Sequence, residues 1–447
     1  MPHIKVGDYL FQRLHELRIR SIFAVRGDYE LALLDLVTDN YLAWKGNPNE
    51  LIAYYAADGY ARVNGVEAFI TTFGPGELSA YCGMAVHYAE LVPVVHIVGY
   101  PAVDAVRSKK IMHHSLGDGR VDMYESMAKA ITAATVVINY SPTAAQEIGH
   151  ALSAVMQESR PVYVGLSVDI AYEIIDSSGL EVPIPTSLQP NDPAHERRTV
   201  GRIRRCLKHL ATRALSSIEG LAMGKGVLHE TVPEFVVVHS GAGTLSGVKK
   251  ALESAEVVIW IGNLPSDFNM GEFTTVVSKI ATIIDLQRFS AWNGKVRYQV
   301  TMKDPGDVIF SQTSTSAFGL CDTKLPSGVM MFNQTVFGSI GYATGAIVGA
   351  GQAIAESDGK WKRPVLVTGE GSMHLTVQVL ADMLRWDLKP IITGGQLSEL
   401  LEDPAFGNAT CLELPLPVLD APLAVIKTGA AIEEFNKAKT EKAVRGA

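Results

Sequence analysis

Cysteine is scarce in this chain of 447 residues: Cys82, Cys206, Cys321 and Cys411 stand far apart, with no CxxC pair and no Cys/His ligand spacing. A disulfide framework and a zinc site are therefore excluded as organising features, and a reducing compartment is the expectation. The first twenty residues, MPHIKVGDYLFQRLHELRIR, lack the uninterrupted apolar run of a signal peptide or a membrane span and read instead as an amphipathic helix with charges throughout. No membrane partner and a cytoplasmic location are expected. Positive charge is also short: 39 Lys and Arg against 47 Asp and Glu leave a net charge of −8, which offers nucleic acid no general attraction. No self-similarity at solenoid periods occurs.

What is abundant is the material of large α/β cores, with 47% hydrophobic residues and 40 glycines in a length that predicts two to four domains. Short β-branched runs (IRSIFAV, EAFITTF, VPVVHIVG, RPVYVGLS) alternate with helical patterns (ELALLDLV, NELIAYYAADGYARV, AAQEIGHALSAVMQE). That alternation predicts βαβ units on a parallel sheet. A Pro-rich polar stretch, VPIPTSLQPNDP at 182–193, reads as a linker. A second α/β segment follows, with EVVIWIG and IATIIDL as strands, and a third carries DPGDVIF, VMMF, PVLVTG, KPIIT and CLELPLP. The stretch 196–213, ERRTVGRIRRCLKHLATR, gathers six arginines and one lysine inside an acidic protein. A solvated helix face is its plainer reading and a polyanion patch the sharper one.

Several residues have the right type for chemistry, and each has a plainer structural reading beside it. Asp28, after a strand and Gly27, is placed to cap a helix. In GNPNELIAYYAADGYAR, Asn47 as N-cap, Pro48 as first helical residue and Glu50 three positions on make a capping-box pattern. His113 and His114 sit in a Gly-rich turn, KIMHHSLGDGR, where a solvated pair is commonplace. TTFGPGELS and TGEGS are strand-to-helix turns whose glycines admit a phosphate or serve only the turn.

Taken in order, RGDYELALLDLV, GNPNELIAYYAADGYARVNG, TTFGPGELSA, HHSLGDG, RPVYVGLS, SDFNMGEF, TSAFG, FGSIGYATGA and GEGSMHLTVQ resemble the thiamine-diphosphate-dependent 2-oxo acid decarboxylases of the pyruvate and indolepyruvate decarboxylase kind. The NELIAYYAADGYAR and HHSLGDG pair is specific to the decarboxylase branch; acetolactate synthase and benzoylformate decarboxylase would not supply it. The resemblance implies a fold of three doubly wound parallel-sheet α/β domains. Residues 1–180 would bind the cofactor's pyrimidine, 181–303 form a shortened central domain, and 304–447 a truncated diphosphate-binding domain. It implies non-oxidative decarboxylation of a 2-oxo acid, pyruvate foremost, to an aldehyde and CO₂ through a thiamine diphosphate ylid, with Mg²⁺ as the metal. Glu50 would drive the aminopyrimidine to its imino form, and Asp28, His113 and His114 would shuttle protons. Thr315, Gly338 and Ile340 would hold the cofactor bent, with Gly369, Glu370, Gly371 and Ser372 at its diphosphate and Glu370 on the metal. Because such a site is shared between two chains, a homodimer is the least assembly and a tetramer is compatible.

The sequence departs from that family in specific places. GEGS stands for the family's GDGS, and KPIIT runs into GGQLSELLEDPAFG where a metal-ligand asparagine, the carbonyl two residues later and a catalytic glutamate are due. Gln396 is the available substitute oxygen. SELLEDPAFGNATCLELPLP resembles a stretch that normally comes some fifty residues later, about one supersecondary unit. The basic stretch 196–213 replaces an apolar strand, and VRYQVTMKDPGDVIF joins two domains almost directly. Arg26, Gln312 and Ser314 replace the usual proline, glutamate and glycine. Internal segments are thus missing, and the activity of this chain by itself is in doubt. The alternative is an impaired paralogue, or an incomplete gene product, acting as a non-catalytic or complementing subunit in a hetero-oligomer with an intact homologue.

Overall fold

A continuous run of apolar residues can be a strand only if both faces of its sheet are covered. In the computed structural model of the protein EAFITT, VVHIVGY and VYVGLS are such strands, with every residue buried. The structure describes residues 3–186, 235–244, 246–287, 307–313, 328–388 and 390–393, with short pieces between them and at 411–412. The chain forms two compact units, Met1–Leu188 with Ser339–Glu413, and Gln189–Gly338 with Leu414–Ala447.

In the first unit, β1 (His3–Lys5) leads into α1 (Val6–Glu16) and pairs antiparallel with β8 (Ile174–Asp176). The main sheet is built from β2 (Ser21–Ala24), β3 (Ala43–Gly46), β4 (Glu67–Thr72), β5 (Val94–Tyr100), β6 (Ala134–Ile138) and β7 (Val162–Ser167). It is parallel throughout, in the order β3-β2-β4-β5-β7-β6. The connecting helices are α2 (Leu31–Leu34), α3 (Glu50–Asn64), α4 (Pro75–Glu90), α5 (Val103–Arg107), α6 (Met123–Ala128) and α7 (Ser141–Glu158). Helix α7 shows how pattern becomes packing. Its buried residues Ala144, Ile148, Ala151, Leu152 and Val155 recur at helical spacing, so one face closes on the sheet beside α1 while the other meets water.

The second unit holds parallel β9 (Ile218–Leu221) and β10 (Phe235–His239), α8 (Ser246–Ser254), and a four-stranded sheet of β11 (Val257–Ile261), β12 (Thr282–Gln287), β13 (Ser290–Asn293) and β14 (Val296–Tyr298). There β11 and β12 are parallel, and β13 and β14 add antiparallel. A parallel pair, β15 (Asp307–Ser311) and β16 (Val329–Phe332), follows. Most of the basic stretch 196–213 lies outside the described residues.

The first unit then resumes with α9 (Tyr342–Ala355), β17 (Pro364–Val367), α10 (Glu370–His374), α11 (Val379–Arg385), β18 (Ile391–Thr393) and β19 (Cys411–Leu412), the three strands running parallel. Helices α3 and α9 are buried on nearly every face, because they cross each other at backbone distance. A Cβ on Gly59 would lie 1.8 Å from the Ala346 carbonyl oxygen, and one on Gly349 would lie 1.7 Å from that of Ala56. Beside this crossing lies a buried charge cluster: Asp58 pairs with Arg62 Nε at 2.6 Å, has His87 Nε2 at 3.2 Å, and accepts from the Tyr342 hydroxyl. The fold class is α/β with parallel sheets, as the alternating pattern predicts. No described helix is long and apolar enough to cross a membrane.

Candidate active site

Glu50 is the first residue of α3, and the cap that starts the helix is Asn49, not the expected Asn47. Asn49 takes an extended backbone and its Oδ1 accepts from the Ile52 amide at 2.8 Å, so the helix begins two residues later than the capping-box reading placed it. Asn47 is drawn away, its amide donating to Asp382 Oδ2 at 2.9 Å. The Glu50 carboxyl is half-buried and faces α4, where a Cβ on Gly76 would come within 3.4 Å of Oε1. Burial raises its pKa, offset in part by its own amide N–H.

Asp28 does not cap either. Glu30 is the N-cap of α2 and makes no side-chain cap, and Asp28 turns to the histidine pair. Its Oδ2 lies 2.5 Å from His113 Nε2, and its Oδ1 lies 4.0 Å from His114 Nδ1. Tyr29 stacks on the His113 ring, with centroids 4.8 Å apart and planes 14° from parallel, and its hydroxyl is 3.3 Å from Nδ1. His114 has a left-handed backbone, φ 66°, and its carbonyl accepts from the Tyr124 hydroxyl at 3.1 Å. Residues 85 apart in sequence thus meet, with one ligand-type atom from each of Asp28, His113 and His114 inside a 4.8 Å circle. The pair is partly exposed, at 59% for the His113 side chain and 29% for His114, so it is reachable and held at once.

The turn between β4 and α4 ties these groups to Glu50. Thr72 lies against Gly27, where a Cβ would approach within 2.4 Å. Gly74, at φ 76°, lies against the His114 carbonyl oxygen, which a Cβ would approach to 2.2 Å, and Gly76 lies against Glu50. Three alternate residues, from the end of β4 into the first turn of α4, therefore lie against Gly27, the His114 carbonyl and Glu50, at the edge where open α/β sheets bind ligands. TTFGPGELS is a strand-to-helix turn, and its glycines Gly74 and Gly76 lie against His114 and Glu50.

Two of the buried carboxyls that the sequence reading missed adjoin this site. Glu30 is 1% exposed, and burial pushes it up to about 7. Glu77 is fully buried and is likewise pushed up to about 7 by burial, which the Gly74 N–H and the Tyr163 and Tyr81 hydroxyls only partly offset. The signal for Glu77 was present in GPGE: a glutamate three residues after the cap closes a box on the Gly74 amide at 2.8 Å.

At the stretch expected to meet a diphosphate, β17 leads through Thr368 to Gly369, the cap of α10, whose first residue is Glu370. A Cβ on Gly369 or Gly371 would meet nothing within 4 Å, and Ser372 is half-buried. Gly338 has φ 66° and Ile340 is 45% exposed. Thr315, Ser314 and Gln396 lie outside the described residues, as does the segment from 394 to 410, where the missing metal ligands were expected.

Comparison with known proteins gives a consistent result. Residues 4–123 match the family described as thiamine pyrophosphate enzyme, N-terminal TPP binding domain. The pyruvate decarboxylase of Aspergillus terreus is 34% identical over 464 aligned residues, taking in 87% of this chain and 81% of the relative. Pyruvate decarboxylase isozyme 3 of Saccharomyces cerevisiae is 34% identical over 467, with 88% and 83% covered. A Schizosaccharomyces pombe protein that carries the pyruvate decarboxylase name provisionally is 31% identical over 566, with 97% and 99% covered. An alignment 566 residues long that uses nearly all of a 447-residue chain leaves many positions of the relative without a counterpart, so the shortening is internal.

Proposed function

The chain belongs to the thiamine-diphosphate-dependent 2-oxo acid decarboxylases of the pyruvate decarboxylase kind, and on that premise we propose that it acts on a small 2-oxo acid, pyruvate foremost, giving an aldehyde and CO₂ without oxidation. One observation carries the reading: Asp28, His113 and His114 meet beside the same turn that lies against Glu50. Four residues from three separate stretches come to one turn, and neither Asp28 nor Glu50 plays the capping role its local sequence suggests.

The residues suit thiamine diphosphate in kind. Glu50 offers a half-buried carboxyl with a side-chain-free Gly76 next to it, and Gly369 and Gly371 open a path to the α10 backbone. When bound, thiamine diphosphate supplies a carbanion for the keto carbon and an electron sink for the pair released with CO₂. This chain's own residues handle protons. Glu50 can hold a proton on a carboxyl oxygen and exchange it with a ring nitrogen, because burial disfavours its charged form and so favours the protonated one. The Asp28 carboxylate orients His113 through Nε2, and the pair can deliver a proton to the carbon that has lost CO₂. His114, fixed by its carbonyl, presents the second ring. Glu370 is proposed as a carboxylate ligand of Mg²⁺, with Gly338, Ile340 and Thr315 shaping the cofactor's bend. With so few oxygen ligands in prospect, cofactor capture by this chain alone is weak.

The internal shortening favours a second reading, in which the chain acts in co-assembly. In an oligomer with an intact cytoplasmic decarboxylase it would contribute Glu50, Asp28, His113 and His114 to a site whose metal clamp comes from the other chain. The test is co-expression with an intact homologue whose own pyrimidine-activating glutamate is changed to glutamine. Recovered aldehyde production that disappears with Glu50→Gln here is the expected result, and no recovery despite demonstrated co-assembly would overturn the reading.

A further inference from the structure

Glu77 sits in the first turn of α4 with no exposure to solvent, and its carboxyl is surrounded by hydrogen-bonding groups of the first unit. Oε1 accepts from the Gly74 amide at 2.8 Å. Oε2 has the Tyr163 hydroxyl of β7 at 2.8 Å and the Tyr81 hydroxyl of its own helix at 3.1 Å. The hydroxyls of Tyr163 and Tyr100, the latter on β5, share a bond of 2.8 Å. Tyr81 has a second acceptor, the Tyr124 carbonyl of α6, at 2.5 Å. Tyr124 in turn donates its own hydroxyl to the His114 carbonyl at 3.1 Å.

A tyrosine hydroxyl carries one proton, so Tyr81 cannot serve Glu77 and the Tyr124 carbonyl fully at the same time. When Glu77 is protonated, it can donate to the Tyr81 oxygen, and the Tyr81 proton goes to the Tyr124 carbonyl. When Glu77 is ionised, the carboxylate makes the stronger charge-assisted bond and draws that proton to itself, leaving the Tyr124 carbonyl without its donor. The Gly74 route reaches the same target, since Gly74 is bonded to Glu77 and its Cα is packed on the His114 carbonyl.

We infer that Glu77 is a positioning residue for the histidine pair: through Tyr81 and Tyr124 its proton controls how firmly the His114 carbonyl, and with it the Asp28–His113 contact, is held. The inference rests on the reading of His113 and His114 as the proton-transfer groups. The other groups bearing on Glu77 are Glu125 on α6, which also disfavours its charge, and the phenols of Tyr81, Tyr163 and Tyr100. With burial placing Glu77 at about 7, the exchange falls in the neutral range. Tyr81 and Tyr124 are themselves raised above the ordinary phenol value by burial and do not titrate there.

The test uses the full chain labelled with ¹³Cζ-tyrosine and ¹⁵N-histidine, titrated from about pH 5.5 to 8.5 around the reference range of such groups. The wild-type Tyr81 and Tyr124 signals should move together with one midpoint near that of Glu77. In Glu77→Gln they should be flat, because the amide still accepts from Gly74 and donates to Tyr81 at every pH. In Tyr124→Phe the Tyr81 midpoint should remain. The Tyr29 signal and the His113 ring-nitrogen signals should then shift, and modification of His113 by diethyl pyrocarbonate should speed up by about fivefold, the population change one net hydrogen bond is worth. A Tyr81 midpoint that survives Glu77→Gln, or unmoved Tyr29 and His113 signals in Tyr124→Phe, would overturn the inference. Should the glutamine variant not fold, the phenylalanine variant decides alone, since it removes one hydroxyl and leaves Glu77 in place. Neither readout needs cofactor or turnover, so failure of the decarboxylase reading leaves them unchanged, and their failure leaves that reading standing.

Discussion

Replacing Glu30 by glutamine should raise stability by under about 1 kcal/mol at pH 5 and by about 3 kcal/mol at pH 8. Glu30 is 1% exposed, pressed with Tyr29 onto Gly99 at the end of β5. Burial pushes its carboxyl from the ordinary 4.5 up to about 7; the Thr72 hydroxyl beside it offsets part of that rise, and the Asp28 charge adds to it. Between those two values the folded chain holds a proton that the unfolded chain has lost. Stability therefore falls as pH rises from 4.5 to about 7 and stays at the lower level above. At about 1.4 kcal/mol per unit the accumulated penalty is about 3 kcal/mol. Glutamine has the shape of the protonated acid and no proton to lose, so it avoids the penalty without changing the acid-side packing. Urea unfolding at the two pH values reads this directly, as a midpoint gain of about 1 M or more at pH 8 and about a quarter of that at pH 5. An equal offset at both pH values would mean that Glu30 does not titrate in this range, and the burial argument would fail.

Two further substitutions probe the scaffold. Gly349→Ala drives a methyl group to 1.7 Å from the Ala56 carbonyl oxygen, and since both partners are helix backbone the cost should reach the upper end of overpacking, about 3 kcal/mol or more; thermal unfolding within a degree or two of wild type would show that α3 and α9 do not cross this closely. Arg62→Met leaves Asp58 charged and buried. Burial pushes that carboxyl up, but Arg62 and His87 outweigh it and hold it below its ordinary 3.8, so the pair adds stability above that value which is lost as pH falls. Removal of the guanidinium should cost about 3–5 kcal/mol at pH 7 and much less at pH 3, and a pH-independent loss would contradict the assignment.

How much of this was legible beforehand differs from residue to residue for physical reasons. EAFITTF and VPVVHIVG were readable as strands because parallel sheets bury both faces, which leaves an uninterrupted apolar run in the sequence. Helix α7 was readable from its spacing. The start of α3 was misplaced because NPN offers two asparagines around one proline, and the choice depended on Asp382, more than three hundred residues away, capturing Asn47. The meeting of Asp28 with His113 and His114 came from the family resemblance and not from the residues, each of which had a plainer local role. Glu30 and Glu77 were passed over because a glutamate in a helix-start pattern looks the same whether it faces water or core. Burial is decided by the sheet they pack against, and no local pattern records it. The all-round apolar surface of α9 did carry a signal, since a helix without a polar face must be covered on every side.

The central claim is that this chain keeps the pyrimidine-side chemistry of its family while its metal-dependent grip on the diphosphate is reduced. Isothermal calorimetry of thiamine diphosphate binding, with Mg²⁺ and then with a chelator, tests it most directly. The account predicts binding weaker than micromolar that changes little when the metal is removed and is weakened further by Glu50→Gln. Micromolar or tighter binding that the chelator abolishes would contradict it.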